Sequence, residues 1–128
     1  MWGRDVLEAG YKKVYHPKAT VIHSHNYPTH EFLKRFFDEY KGLNVAFGYV
    51  DIRNPLKIFG GIVTGTLGDA FYIWKETKYT TTEKFQWTYH ALLMNLYRRI
   101  GAYLGGHHRV LPVWLKQGMS LERKKKKG

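Results

Sequence analysis

The sequence predicts an α+β chain that is mostly helical and carries one short β element. Three observations predict this. A β-branched run, Thr20-Val21-Ile22, lies between Pro17 and Pro28. Phe32, Phe36 and Tyr40 recur at i, i+4 and i+8, the spacing of one helical face. Thr80-Thr81-Thr82-Glu83 has the form of a capping box and opens a long helical repeat.

The elements follow in chain order. Trp2, Val6 and Ala9 share a helical face, with Leu7 beside it, and Gly10 reads as the left-handed residue that stops this first helix. Two extended runs come next, residues 12–15 and 19–25, separated by the turn-forming Pro17-Lys18. On the second run a period of 2 puts Val21, His23 and His25 on one face. Pro28 ends it, and a helix is expected from about Thr29, its possible cap, to Lys41. Gly42 and Gly48 weaken its continuation.

Asn54-Pro55 marks a boundary before a further helical stretch, Pro55 to Trp74. Gly60, Gly61, Gly65 and Gly68 each cost that helix about 1 kcal/mol relative to Ala. After the capping box, Phe85, Tyr89, Leu92, Leu93, Leu96, Ile100, Tyr103 and Leu104 keep the helical repeat. Gly105-Gly106 is expected to end this helix, with His107, His108 and Arg109 suited to its negative pole. Pro112 opens a last short segment, Val113 to Leu121.

Composition narrows the chemistry. The chain has 128 residues, 44% hydrophobic and 16% aromatic, which argues against disorder. It has no cysteine, which excludes a disulfide scaffold, a thiolate zinc site and a cysteine nucleophile. Its formal net charge is +11, and five of the cations form one run: Arg123, Lys124, Lys125, Lys126 and Lys127. Such a chain seeks phosphates, on nucleic acid, on nucleotide ligands or on anionic lipid. The longest apolar stretch, Ile58 to Trp74, carries four glycines and Asp69, so a membrane-spanning helix is not expected.

Few residues could carry chemistry. His23-Ser24-His25 is the densest polar cluster, and two imidazoles at i, i+2 on a strand could approach one metal or one diphosphate. On spacing alone a surface or structural pair is the first reading and a ligand pair the second. Arg35 and Asp38 read first as an i,i+3 ion pair on a helix; the second reading is a phosphate-binding Arg oriented by Asp38. His107-His108-Arg109 reads as a helix cap before a phosphate site. No glycine-rich phosphate loop and no nucleophile–base–acid set has convincing spacing.

The stretch from Asp5 to Tyr27, with Ala9-Gly10-Tyr11-Lys12, Tyr15, Pro17 and His23-Ser24-His25-Asn26-Tyr27, resembles the second half of a family 2 glycosyltransferase. More narrowly it is similar to the rhamnosyltransferase-like group that builds bacterial cell-surface polysaccharides. Phe32 to Asp38 continues the likeness, and Tyr103-Leu104-Gly105 and Leu111 to Lys116 echo it weakly. The resemblance implies the C-terminal part of an α/β GT-A fold, in which a Rossmann-like half binds the nucleotide-sugar. The donor-binding half and its general base, the Asp of a Glu-Asp pair, have no counterpart in these residues. The chain is thus expected to be a fragment, from a truncated gene or a split one, and inactive alone; an upstream half-enzyme is the candidate partner of the split case.

By the same resemblance His23 or His25 contributes to the donor diphosphate or a divalent metal, Mg or Mn, with Arg35 and Asp38 secondary. A nucleotide-sugar donor and a glycan or lipid-linked acceptor are the implied partners. Residues 1–50 are expected to end the catalytic domain, 51–122 to form a helical acceptor-side or membrane-proximal extension, and 123–128 to be a basic disordered tail. The Phe85-to-Tyr103 stripe, with the run Arg123 to Lys127, is expected to touch an anionic membrane at the cytoplasmic face. The rival reading is a non-catalytic basic module for anionic membrane or nucleic acid. The aromatics fall on helical faces instead of interleaving with Lys and Arg on a sheet, so nucleic acid is not the expected partner.

Overall fold

A computed structural model describes residues 2–12, 14, 18 and 27–121 of the chain. The described residues form α1 (Trp2–Glu8), α2 (Glu31–Phe47), α3 (Leu56–Lys75), α4 (Thr81–Gly106), a 3-10 turn (His108–Val110) and α5 (Val113–Met119). No strand occurs among them, which corrects the α+β expectation: the described fold is all-helical. Lys12 and Val14, on the first expected strand, are exposed and outside any ladder. The second expected strand, 19–25, lies outside the described residues. The physical reason is where burial is available. The long helical repeats bury one another, whereas a strand must find neighbours for its backbone groups.

Local chemistry sets several helix ends. After α1, Gly10 takes φ +85°, the Tyr11 N–H donates to the Val6 carbonyl, and the Gly10 N–H donates to that of Leu7. This is the double bond of a Schellman stop. At α4 the Glu83 N–H donates to Thr80 Oγ1 at 3.3 Å, and Glu83 Oε2 accepts from the Thr80 N–H at 2.7 Å. Both halves of the capping box are therefore made. Asn54 Oδ1 accepts the Leu56 N–H at 2.9 Å where α3 begins. Thr29 does not cap α2: its first residues bond to the carbonyls of Pro28 and Thr29.

One helix runs past its expected end and another stops where expected. α2 continues through Gly42 to Phe47 and stops at Gly48, whose φ is +66°. Leu43 and Asn44 pack inward beyond Gly42 and offset its helix cost. α4 ends at Gly106, the expected stop, with His107 as its C-cap.

α4 is central, packing against both α2 and α3, while α5 lies on α2. The α2–α4 contact is close because α4 presents Gly101 and Gly105, one turn apart. A Cβ at Gly101 would stand 2.6 Å from Phe36 Cβ, and one at Gly105 would stand 2.5 Å from the Phe37 carbonyl oxygen. Gly105, one of the two glycines expected as a helix stop, is also part of the floor on which α2 lies. Small residues let helix backbones approach in this way. Phe37 is fully buried there, and Tyr40, Ile52 and Ala102 form the core with Phe36, Leu43, Ile58 and Tyr103 around them.

Candidate functional site

The candidate residues that fall in the described structure gather on the first half of α2. Pro28 and Thr29 turn the chain, and Tyr27 folds back so that its ring meets Phe32 edge-on at 6.1 Å. The Arg35 guanidinium lies over the Tyr27 ring, 5.3 Å from its centroid. Such a cation–aromatic contact holds the guanidinium plane while its N–H edges remain able to bond an anion.

One turn further on, Asp38 faces a different partner. Its Oδ2 accepts the backbone N–H of Leu121 at 2.7 Å. Its Oδ1 is buried and finds no hydrogen-bond partner among the described residues. Arg35 and Asp38 therefore do not serve each other as the i,i+3 spacing suggests. Arg35 is positioned by an aromatic ring, and Asp38 by the chain leaving α5. Arg35 thus offers a cationic fork for phosphate, whereas the Asp38 carboxylate is closed off, one oxygen buried and the other bonded to Leu121.

His23 and His25 lie outside the described residues, as do Arg123, Lys124, Lys125, Lys126 and Lys127. The segment carrying the histidines runs directly into Tyr27. Among the described residues no three His, Cys, Asp or Glu side chains converge as a metal site would require. His107 and His108 behave as caps. His107 Nδ1 is 2.9 Å from the Tyr103 carbonyl oxygen and His108 Nδ1 is 3.1 Å from that of Gly105.

Two polar groupings are absent from the sequence reading. Beyond the C-terminal half of α2, the Tyr49 hydroxyl donates to Asp51 Oδ1 at 2.9 Å, and this bond pushes the phenol pKa up. Arg98 stands close by, its pKa raised chiefly by a hydrogen bond with Tyr40 and further by Asp51 and Glu39. Between α3 and α4, Asn95 Nδ2 donates to Asp69 Oδ2 at 2.7 Å and to the Ala91 carbonyl at 2.9 Å. Each grouping also joins distant parts of the chain, Arg98 with Tyr40 and Asp51 in one and Asn95 with Asp69 in the other, which no local spacing brings together. The Tyr27 platform was within reach of sequence: an aromatic just before the helix start faces the first turns.

This chain has counterparts among known proteins. It is similar to the O-antigen chain rhamnosyltransferase WbaN of Salmonella anatum, at 31% identity over 111 residues, covering 84% of this chain and 31% of the relative. It is equally similar to the O-antigen chain rhamnosyltransferase RfbN of Salmonella typhimurium (strain LT2), at 31% over 111 residues, covering 84% of this chain and 32% of the relative. The matches support a glycosyltransferase-like relationship. The chain spans about a third of the length of these curated relatives. No protein-family model and no solved structure matches it.

Proposed function

We propose that the chain is the C-terminal helical portion of a nucleotide-sugar-dependent glycosyltransferase of family 2, of the rhamnosyltransferase kind, acting in cell-surface polysaccharide synthesis. One observation carries this reading: the 31% identity that extends over 84% of the chain to two O-antigen chain rhamnosyltransferases.

In the proposed reaction an acceptor hydroxyl attacks the anomeric carbon of a nucleotide-sugar. A carbon–oxygen bond forms there, the bond to the diphosphate breaks, and a base takes the hydroxyl proton. That base and the donor pocket belong to an upstream half-enzyme in this proposal. A divalent metal would offset charge on the leaving diphosphate. The described residues form no metal site. Arg35 would steady a phosphate oxygen, and Asp38 would hold the chain leaving α5 beside it.

The test is release of nucleoside diphosphate from a panel of nucleotide-sugars. The chain alone is expected to be silent, and a polypeptide that also carries the upstream half is expected to turn over one donor. In that longer form His23→Ala, His25→Ala and Arg35→Ala are expected to reduce turnover. Turnover of no donor by the longer form overturns the transferase reading. Release by the chain alone overturns its division into halves.

A further inference from the structure

α3 turns one face to α4 and leaves the opposite face open. Ile58, Ile62, Ala70 and Ile73 are half-buried on its inner side, where Gly61 and Gly65 also face Arg99 and Asn95 of α4. The outer face has relief. Phe59, Val63, Leu67 and Phe71 stand four residues apart and form one ridge. Gly60, Thr64 and Gly68 form the parallel row beside it, between Leu56 and Tyr72 at its two ends, so that row is a groove. A Cβ at Gly60 or Gly68 would meet no described atom within 4 Å, so the groove is open on the described chain. The Thr64 hydroxyl donates to the Gly60 carbonyl at 2.9 Å, and the row presents no free hydroxyl donor. The ridge is equally bare: Phe59 is 75% exposed, Leu67 65% and Phe71 64%.

Shape, area and charge together select the occupant. A ridge of residues four apart beside a groove of the same inclination is complementary to itself. Two such faces interlock, each ridge in the other's groove, with the helices crossing at about −50°. The chain already packs helices on such a row: Gly101 and Gly105, four apart on α4, receive α2. At about 150–250 Å² for an aromatic side chain, the exposed parts of the ridge with Leu56, Tyr72 and Trp74 come to roughly 800 Å², which is what one partner buries in a standard interface. The charges around the face nearly balance, Arg53 and Lys57 with Asp51 at one end, and Lys75, Lys78 and Lys84 with Asp69, Glu76 and Glu83 at the other. A balanced rim does not repel a second copy and gives an anionic surface little hold. No helix among the described residues is long and apolar enough to cross a membrane.

We propose that the outer face of α3 is a self-association surface, on which α3 of a second copy of this chain lies about a two-fold axis. The interface is isologous: Phe59, Val63, Leu67 and Phe71 of each copy enter the row of Gly60, Thr64 and Gly68 of the other. The open apolar surface is thus on α3 and not on the α4 stripe singled out in the sequence, whose Leu96, Ile100 and Tyr103 are half-buried. The proposal does not rest on the transferase reading.

The experiment is sedimentation equilibrium of the whole 128-residue chain over a wide range of concentration. The wild type is expected to pass from one chain to two as concentration rises, and to go no further. Phe59→Gln with Leu67→Gln, charge-neutral and outside the core, is expected to weaken the dimer about tenfold or more at unchanged helicity by circular dichroism. Gly60→Leu with Thr64→Leu is expected to do the same by filling the groove, although it adds apolar surface and removes a helix-weakening glycine. Val110→Gln, an equally exposed apolar site off this face, and deletion of residues 123–127 are each expected to leave the dimer as it is. A wild type that stays a monomer overturns the proposal, and so does one that keeps growing beyond two chains. A dimer that Phe59→Gln with Leu67→Gln leaves intact also overturns it, as does one lost with residues 123–127. A dimer that Gly60→Leu with Thr64→Leu leaves intact or strengthens, as unspecific apolar contact would be, overturns it too.

Discussion

Leu121 donates its backbone N–H to the Asp38 carboxylate at 2.7 Å, joining positions 83 apart in the chain. This bond ties the exit from α5 to the middle of α2. It gives Asp38 a structural task as well as a place in the candidate site. A hydrogen bond to a charged acceptor is worth about 1.5–3 kcal/mol.

Asp38→Ala is therefore expected to lower stability by about 1–3 kcal/mol in urea unfolding. It is also expected to speed amide exchange at Leu121. Asp38→Asn keeps an acceptor oxygen and is expected to lose less. Equal exchange at Leu121 in all three proteins would remove the tie.

The α2–α4 contact makes opposite predictions for two glycines in helices. Gly105→Ala puts a methyl against the Phe37 carbonyl, where the nearest atoms are backbone that cannot step aside. It is expected to destabilise by about 1–3 kcal/mol, as overpacking does. Gly68→Ala meets no atom within 4 Å and gains helix propensity. It is expected to stabilise by up to about 1 kcal/mol. Thermal unfolding of the two variants checks both signs.

Thr80→Ala removes one arm of the capping box and is expected to cost about 1 kcal/mol. The other arm is sensitive to acid. Hydrogen bonds from the Thr80 backbone and hydroxyl hold the Glu83 pKa below its ordinary 4.5. A depressed carboxylate stabilises the fold above its unfolded value and loses that contribution as pH falls through the lower folded value. Glu83→Gln is therefore expected to flatten part of the loss of stability below about pH 4.5. Unfolding curves from pH 7 to pH 3 measure it.

The seam between α3 and α4 depends on Asn95. Asn95→Ala leaves Asp69 without its 2.7 Å donor and is expected to cost about 0.5–1.5 kcal/mol. The double change Asp69→Ala with Asn95→Ala is expected to cost less than the two single changes added together. A double-mutant cycle by urea unfolding measures the coupling.

Features governed by neighbours in sequence were legible in advance. Gly10 stops α1 because φ +85° suits a residue without Cβ. Pro55 stands at the start of α3, and Thr80 with Glu83 opens α4, because each completes a helix end within one turn. The aromatic face of Phe36 and Tyr40 does pack inward. His107 and His108 do bond to the carbonyls ending α4.

The tertiary structure decided what depends on a second element. Gly105-Gly106 does end α4, but Gly105 has a second task that its local sequence does not show: it lets α2 lie against the helix. Gly42 looked like an end, yet Leu43 and Asn44 find burial beyond it. The spacing of Arg35 and Asp38 allowed an ion pair, but Tyr27 and Leu121 claim them separately. The glycines of α3 looked like a weakness in a helix, yet two of them admit Asn95 and Arg99. Local sequence determines where backbone groups at an element's end find partners. Which face is covered, and which helix extends past a glycine, depends on burial against residues far away in the chain.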